Sequence, residues 1–209
     1  MRIGIIGSGN IGSTTARLFV DVGHEVAIAN SHGPQTLTGL VDSLGGRARA
    51  ATAAQVAEFG EVVVVAIPYG HYRDLPAEEL EGRIVADATN YYPARDGNIP
   101  ALDSDQMSSS QLLASRLDGA SVVKAFNTMY FRTLASAGRP DAPMAERLAI
   151  YVAADDPDAK RVVSGLIERI GFAPVDAGSL ADSRRQQPGG AVSGADLKQP
   201  EAEAALHRS

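Results

Sequence analysis

The strongest constraint on this chain lies in its first dozen residues. Residues 2–6 are mostly apolar, Gly7-Ser8-Gly9-Asn10-Ile11-Gly12 comes next, and residues 10–22 carry the apolar spacing of a helix. A strand, a G-x-G-x-x-G turn and a helix in that order open a dinucleotide-binding βαβ unit. Each glycine answers a separate need. Gly7 lets the chain turn off the strand, Gly9 lets backbone approach a diphosphate with no Cβ in the way, and Gly12 lets the helix lie close to the sheet. The helix start then offers unpaired N–H groups and a partial positive charge to phosphates. A second apolar strand at residues 25–29 completes the unit.

The loop after that second strand bears on the cofactor. NAD sites usually place Asp or Glu here to hold the ribose 2′-OH. This chain has Asn30-Ser31-His32-Gly33-Pro34, and the next acidic residue is Asp42. A carboxylate would repel a 2′-phosphate, whereas Ser31 can donate a hydrogen bond and His32 can carry a proton, so NADP is expected rather than NAD. The plainer alternative is an ordinary Asn/Ser/Gly/Pro turn.

The rest of the chain alternates between the two periodicities. Helices are predicted at residues 34–44, 53–59, 157–170 and from Ser108, Ser109 or Ser110 to Leu117. Strands are predicted at residues 48–51, 61–68, 83–87, 120–125, 147–153 and 172–175. The valine run within 61–68 suits a parallel strand buried on both faces, and Pro68 stops it. This alternation predicts an α/β, Rossmann-type, doubly wound and mostly parallel sheet with helices on both faces, plus a small C-terminal extension. Ligands in such sheets bind at the carboxyl ends of the strands. That brings forward Tyr69-Gly70-His71-Tyr72, the polar and aromatic stretch from Ala88 to Gly97, and the residues after Lys124. Asp87 and Asp96 are candidate carboxylates that nothing in the sequence pairs. Lys124 and Asn127 look briefly like a catalytic Lys/Asn pair, but Lys124 falls within or at the end of a strand, where a structural role for its amine is the better expectation.

The 209 residues include no cysteine, which excludes disulfides, thiolate nucleophiles and Cys-ligated zinc. Four histidines lack metal-ligand spacing, so no metal is expected. A net charge of −6 argues against general nucleic-acid binding. Apolar runs are too short to cross a membrane, and no leader precedes the first strand, so a cytoplasmic location is expected. From Gly178 onward Ser, Arg, Gln, Pro and Gly dominate. This tail has little core-forming potential and reads as loose or packed on something else, such as a second subunit.

The chain resembles the NADP oxidoreductase, coenzyme F420-dependent family. The likeness runs from Arg2 to about Ser183. It rests on Gly7-Ser8-Gly9-Asn10-Ile11-Gly12, Asn30-Ser31, Ile67-Pro68-Tyr69-Gly70-His71, Val122-Val123-Lys124-Ala125-Phe126-Asn127-Thr128 and Asp176-Ala177-Gly178-Ser179-Leu180-Ala181-Asp182-Ser183. The resemblance implies that residues 1–177 form an NADP-binding Rossmann-like domain, with a core at 1–125 and later elements at 126–177. Residues 178–209 would be a tail or dimerisation segment. It implies NADP(H) held by Gly7, Ser8, Gly9, Asn10, Ile11 and Gly12, with Asn30, Ser31 and His32 at the 2′-phosphate and Ala66, Ile67, Pro68 and His71 along the cofactor. Tyr69, Thr89, Asn90, Asn127, Thr128 and Met129 would hold a deazaflavin (F420) or flavin-like acceptor such as FMN or FAD. Members form homodimers, and hydride passes directly between rings, so no catalytic acid or base is expected. The alternatives are a non-catalytic NADP(H)-binding sensor or partner module, and a small-substrate dehydrogenase that uses Lys124.

Overall fold

A computed structural model describes residues 1–207. Strands β1 (Arg2–Ile6), β2 (Glu25–Ala29), β3 (Ala48–Ala50), β4 (Val62–Val65), β5 (Ile84–Asp87), β6 (Ser121–Lys124), β7 (Ala149–Ala154) and β8 (Ala173–Asp176) form one eight-stranded sheet. Its order is β3-β2-β1-β4-β5-β6-β7-β8. All neighbours are parallel except β6 and β7, which run antiparallel. The chain steps outward from β1 to β3, then crosses back to place β4 on the other side of β1. That reversal opens a crevice at the carboxyl ends of β1 and β4, where open α/β sheets take their ligands.

The helices are α1 (Asn10–Asp21), α2 (Thr38–Leu44), α3 (Ala53–Phe59), α4 (Pro93–Asp96), α5 (Pro100–Asp103), α6 (Ser109–Arg116), α7 (Phe131–Ser136), α8 (Pro157–Arg169) and α9 (Gln199–His207). One face of the sheet buries Phe19 of α1, Leu44 of α2, Leu134 of α7 and Val163 of α8 against Ile3, Ile5, Ile28 and Val64. The other buries Val56 of α3 and Leu113 of α6 against Val63, Val65 and Val85. Covered on both sides, the central strands need no alternation, which explains the Val62–Val65 run.

Several boundaries differ from the sequence expectation for physical reasons. The strand expected at 61–68 ends at Val65, because Gly7 turns β1 away. The last pairing bond is Ala66 N to Ile6 O at 2.8 Å. The helix expected at 34–44 opens as a 3₁₀ turn, Pro34–Leu37, before α2. The helix α4, in a stretch read as loop, and α5, in a stretch given no element, each begin with proline at a first helical position, which the ring tolerates. The caps are as the sequence implies. Ser108 and Gln111 form a capping box on α6, and Asp156 accepts from Asp158 N and Ala159 N at the start of α8.

The tail differs most in character from its sequence reading. Alternation along β7 sends Ile150 and Val152 into the core under α8 and leaves Ala149, Tyr151 and Ala153 on the opposite face. Val192, Ala202 and Leu206 from the tail cover that face together with Val175 of β8 and Ala177 just after it. Few apolar residues suffice because the face they cover is short, Ala149, Tyr151 and Ala153. The segment also ties back through its backbone, from Ala149 N to Leu197 O at 2.8 Å and from Gly194 N to Thr128 O at 3.0 Å.

Candidate functional site

The site begins where β1 ends. Gly7 has φ +112 and donates from its N–H to Ala29 O at 2.9 Å. A Cβ there would collide with the Ala66 carbonyl, and one on Gly12 would collide with the carbonyl oxygen of Gly7. Both glycines are therefore required by the fold itself. Gly9 is different. It is the N-cap of α1 with φ −71 and ψ −169, extended backbone open to any residue, and a Cβ built on it meets nothing within 4 Å. Among the described residues no atom explains its being glycine. No side chain caps α1, so its first N–H groups have no side-chain acceptor beside Gly9.

A cavity of about 410 Å³ lies over this loop. It is lined by Gly7, Ser8 and Gly9 below, Asn30, Ser31 and His32 from the loop after β2, and Ala66, Ile67, Pro68 and His71 after β4. Most residues expected along the cofactor thus share one cavity. The loop after β2 is braced from within. Asn30 Oδ1 accepts from His32 N at 2.9 Å, Asn30 Nδ2 donates to Thr36 Oγ1 at 2.9 Å, and Gln35 Nε2 donates to His32 O at 3.0 Å. The side chains of Ser31 and His32 meet at 3.3 Å and are exposed. Asn30 therefore shapes the loop, and no carboxylate belongs to it.

Asn10 and Ile11 face a second, smaller groove of about 230 Å³ on the other side of the loop. Its remaining walls are Ala88 and Asn90 after β5 and Phe126, Asn127, Met129, Tyr130 and Phe131 after β6. Two amides knit these loops together. Asn90 Nδ2 donates to Asn127 O at 2.8 Å, and Asn127 Nδ2 donates to Asn90 Oδ1 at 3.0 Å and to Gln186 O at 2.8 Å. Phe126 sits at φ +65, a left-handed conformation that non-glycine residues rarely adopt. Its ring is buried edge-on to Phe19.

The structure does not bring Tyr69, Thr89 or Thr128 into that groove. Tyr69 is fully buried, its hydroxyl donates to Ser109 O at 2.7 Å, and burial pushes its pKa upward. Thr89 donates from Oγ1 and N to Asp87 Oδ1, at 2.6 and 2.9 Å. Thr128 is buried under the tail. Nor does Lys124 line either groove. Its amine and the Asp87 carboxylate are wholly buried, 3.1 Å apart, with Ser110 Oγ donating to Asp87 at 2.7 Å and the amine donating to Thr89 O at 2.6 Å. Burial lowers the Lys124 pKa, and Asp87 opposes that shift. This pair pins β5 to β6, where the two residues are register partners. Asp96, the other candidate carboxylate, is held by Arg95 at 2.8 Å and accepts from Tyr92 N at 2.9 Å.

Sequence reasoning did not name Ile6, Ala29, Ala53, Asp74 and Leu75 as site residues in the first cavity, nor Ala88, Phe126, Tyr130 and Phe131 in the second. Only Asp74 carried a signal, its spacing three residues after His71 on a helical turn. Among the described residues no cluster of His, Cys, Asp or Glu could hold a metal, and no helix is long and apolar enough to cross a membrane.

Comparison with known proteins agrees with this geometry. A family model described as NADP oxidoreductase, coenzyme F420-dependent, matches residues 2–91. Metalloreductase STEAP3 of Rattus norvegicus is 31% identical over 185 residues, which is 88% of this chain and 35% of that protein. The chain spans about a third of the length of the curated relatives it matches. Hypothetical protein SMa0349 of Sinorhizobium meliloti superposes with a TM-score of 0.81 at 34% identity, covering 95% of each chain. A protein described as an F420-dependent NADP reductase, from Arthrobacter sp. FB24, superposes with a TM-score of 0.74 at 26% identity, covering 88% of this chain and 87% of that one.

Proposed function

Because the chain belongs to the NADP oxidoreductase, coenzyme F420-dependent family, we propose that it binds NADPH and reduces a flat deazaflavin or flavin-like acceptor. The observation that carries this reading is Gly9, a glycine that neither backbone conformation nor packing demands. Its missing Cβ leaves space for something from outside the chain, at the open start of α1, where a diphosphate is favoured. The backbone of Ser8 and Gly9 and the first N–H groups of α1 hold the phosphates. Ser31 and His32 receive the 2′-phosphate on the braced loop.

Bound NADPH supplies the hydride. The protein's part is to position two rings and keep water away. Asn90 and Asn127, locked to each other, fix the separation of the loops after β5 and β6, and Met129, Tyr130 and Phe131 give the second groove apolar walls. Among the described residues no Asp, Glu, His or Lys lines the smaller groove, which suits direct transfer between rings. A homodimer in the cytoplasm is part of the same proposal.

The test mixes purified protein with NADPH and oxidised F420, FMN or FAD in turn, and follows loss of the nicotinamide absorbance. Oxidation with one acceptor supports the reading. Failure of NADPH to bind in a calorimeter overturns it. One observation favours a second reading, a non-catalytic NADPH-binding module. Tyr69 and Tyr91 turn into the protein, and the Tyr91 hydroxyl is engaged by Asp103 at 2.7 Å. Tight NADPH binding without turnover for any acceptor would select that reading.

A further inference from the structure

The larger cavity carries a carboxylate that phosphate binding does not explain. Asp74 lines the same cavity as Gly9, Ser31 and His32, groups suited to a polyanion. Its Oδ2 is 2.9 Å from His71 Nδ1, and no other hydrogen bond to its side chain is present among the described residues. An ionised carboxylate only accepts hydrogen bonds. Beside three phosphates it weakens binding unless the ligand brings it a donor.

We propose that Asp74, held in place by His71, accepts a hydrogen bond from the exocyclic amine of an aminopurine. The cavity would then select adenine over an oxo-purine. This inference rests on the dinucleotide reading of the same cavity. The order β3-β2-β1-β4 sets the loop after β2 and the turn after β4 on opposite sides of the glycine loop. A 2′-phosphate at Ser31 and His32 fixes the ribose that carries it. The base is attached at the adjacent ribose carbon, so it stays in the same cavity. The walls left for it are Ala53, Ile67, Pro68 and Leu75, which suit a flat ring, and the His71–Asp74 pair. The smaller groove shares no lining residue with this cavity, so the other end of the dinucleotide has its own place. Adenine presents an N–H donor at its 6-position. Hypoxanthine presents an oxygen there, which a carboxylate repels.

The experiment titrates NADPH, and the analogue in which hypoxanthine replaces adenine, into the full chain and into Asp74→Ala. A hydrogen bond to a charged acceptor corresponds to about 10- to 100-fold in affinity, so the unaltered protein should prefer NADPH by that factor. In Asp74→Ala the preference should fall below about threefold, mainly through weaker NADPH binding. The Asp74 side chain is 73% exposed, so the variant should keep its fold, which a thermal melt checks. Equal affinities in the unaltered protein, or an unchanged preference in the variant, overturn the inference while leaving NADPH binding intact. If neither dinucleotide binds, the adenine subsite and the cofactor reading fall together.

Discussion

Replacing Gly9 with alanine separates what the fold needs from what the ligand needs. In the free protein the new methyl points into open space, and φ −71 with ψ −169 is comfortable for alanine. Loss of glycine's freedom in the unfolded chain stabilises by about 0.4–1 kcal/mol. Alanine's poorer fit at an N-cap costs roughly as much in return. The melting temperature should therefore move by no more than about 3 °C for a domain of this size. Binding responds differently. An N–H···O contact to phosphate needs about 2.9 Å, whereas a methyl carbon holds heavy atoms at roughly 3.5–4.0 Å. The phosphate is pushed back by about 1 Å, forfeiting at least one charge-assisted bond of about 1.5–3 kcal/mol. Calorimetry should show NADPH affinity lower by about 10- to 100-fold. A folded Gly9→Ala protein that binds NADPH as well as the original would refute the reasoning. The companion change Gly7→Ala should do the reverse of a silent change, lowering the melting temperature through positive φ and collision with the Ala66 carbonyl.

Three further outcomes are expected. Lys124→Met leaves Asp87 buried with donors from Thr89 and Ser110 but no cation, and should destabilise by about 3–5 kcal/mol in denaturant titrations. A loss under about 1 kcal/mol would show that those donors suffice. Ser31→Asp sets a carboxylate where a 2′-phosphate is proposed, so NADPH affinity should fall more than tenfold and NADH affinity much less, by about the discrimination of one charged contact. Equal losses would remove Ser31 from cofactor choice. Burial beneath Phe19, followed by the charges of the chain's amino terminus and Arg169, holds the His24 pKa below the ordinary imidazole value of 6.5. The unfolded chain therefore binds a proton that the native state refuses. His24's contribution to stability is complete above pH 6.5 and is lost as pH falls from there toward its native pKa. Melts between pH 7.5 and 5.5 should show this slope, and His24→Leu should flatten it.

Much of the sheet was legible because its signals are local. Valine runs and helix caps depend on neighbours a few residues away, and β4, α6 and α8 stand within a few residues of where the pattern puts them. Contacts set by register were not legible. Asp87 and Lys124 look like separate catalytic candidates until β5 and β6 pair side by side, and the pairing then turns both inward. Tyr69 obeys the same logic. Its place after β4 suggested a ring wall, but the 3₁₀ turn Tyr69–Asp74 sends its side chain under the sheet to Ser109 and leaves His71 and Asp74 facing the cavity. The tail hid its packing because the face it covers, Ala149, Tyr151 and Ala153, becomes visible only once β7 is known to run antiparallel to β6.

The three glycines of the opening motif show why a motif alone cannot separate structure from function. Gly7 and Gly12 would be needed in any strand–turn–helix of this shape, whether or not it bound a nucleotide, because each meets another backbone carbonyl of the chain. Gly9 alone has no such reason. The same division runs through the rest of the site. Asn30 and Asn90 spend their amides on the protein, bracing loops, and Asn127 spends its Nδ2 while its Oδ1 has no partner; Ser31, His32 and one oxygen of Asp74 likewise keep capacity that the chain does not use. The exposed polar side chains of Ser31, His32 and Asp74 lie in the larger cavity, and the aromatic walls Phe126, Tyr130 and Phe131 lie in the smaller groove. That asymmetry matches a ligand with a phosphorylated, hydrogen-bonding end and a flat reactive end. It also separates the two ends, since Ser31→Asp or Asp74→Ala should alter dinucleotide affinity without changing the lining of the smaller groove, and changes at Met129 or Phe131 should act where the rings meet and raise the KM for the acceptor.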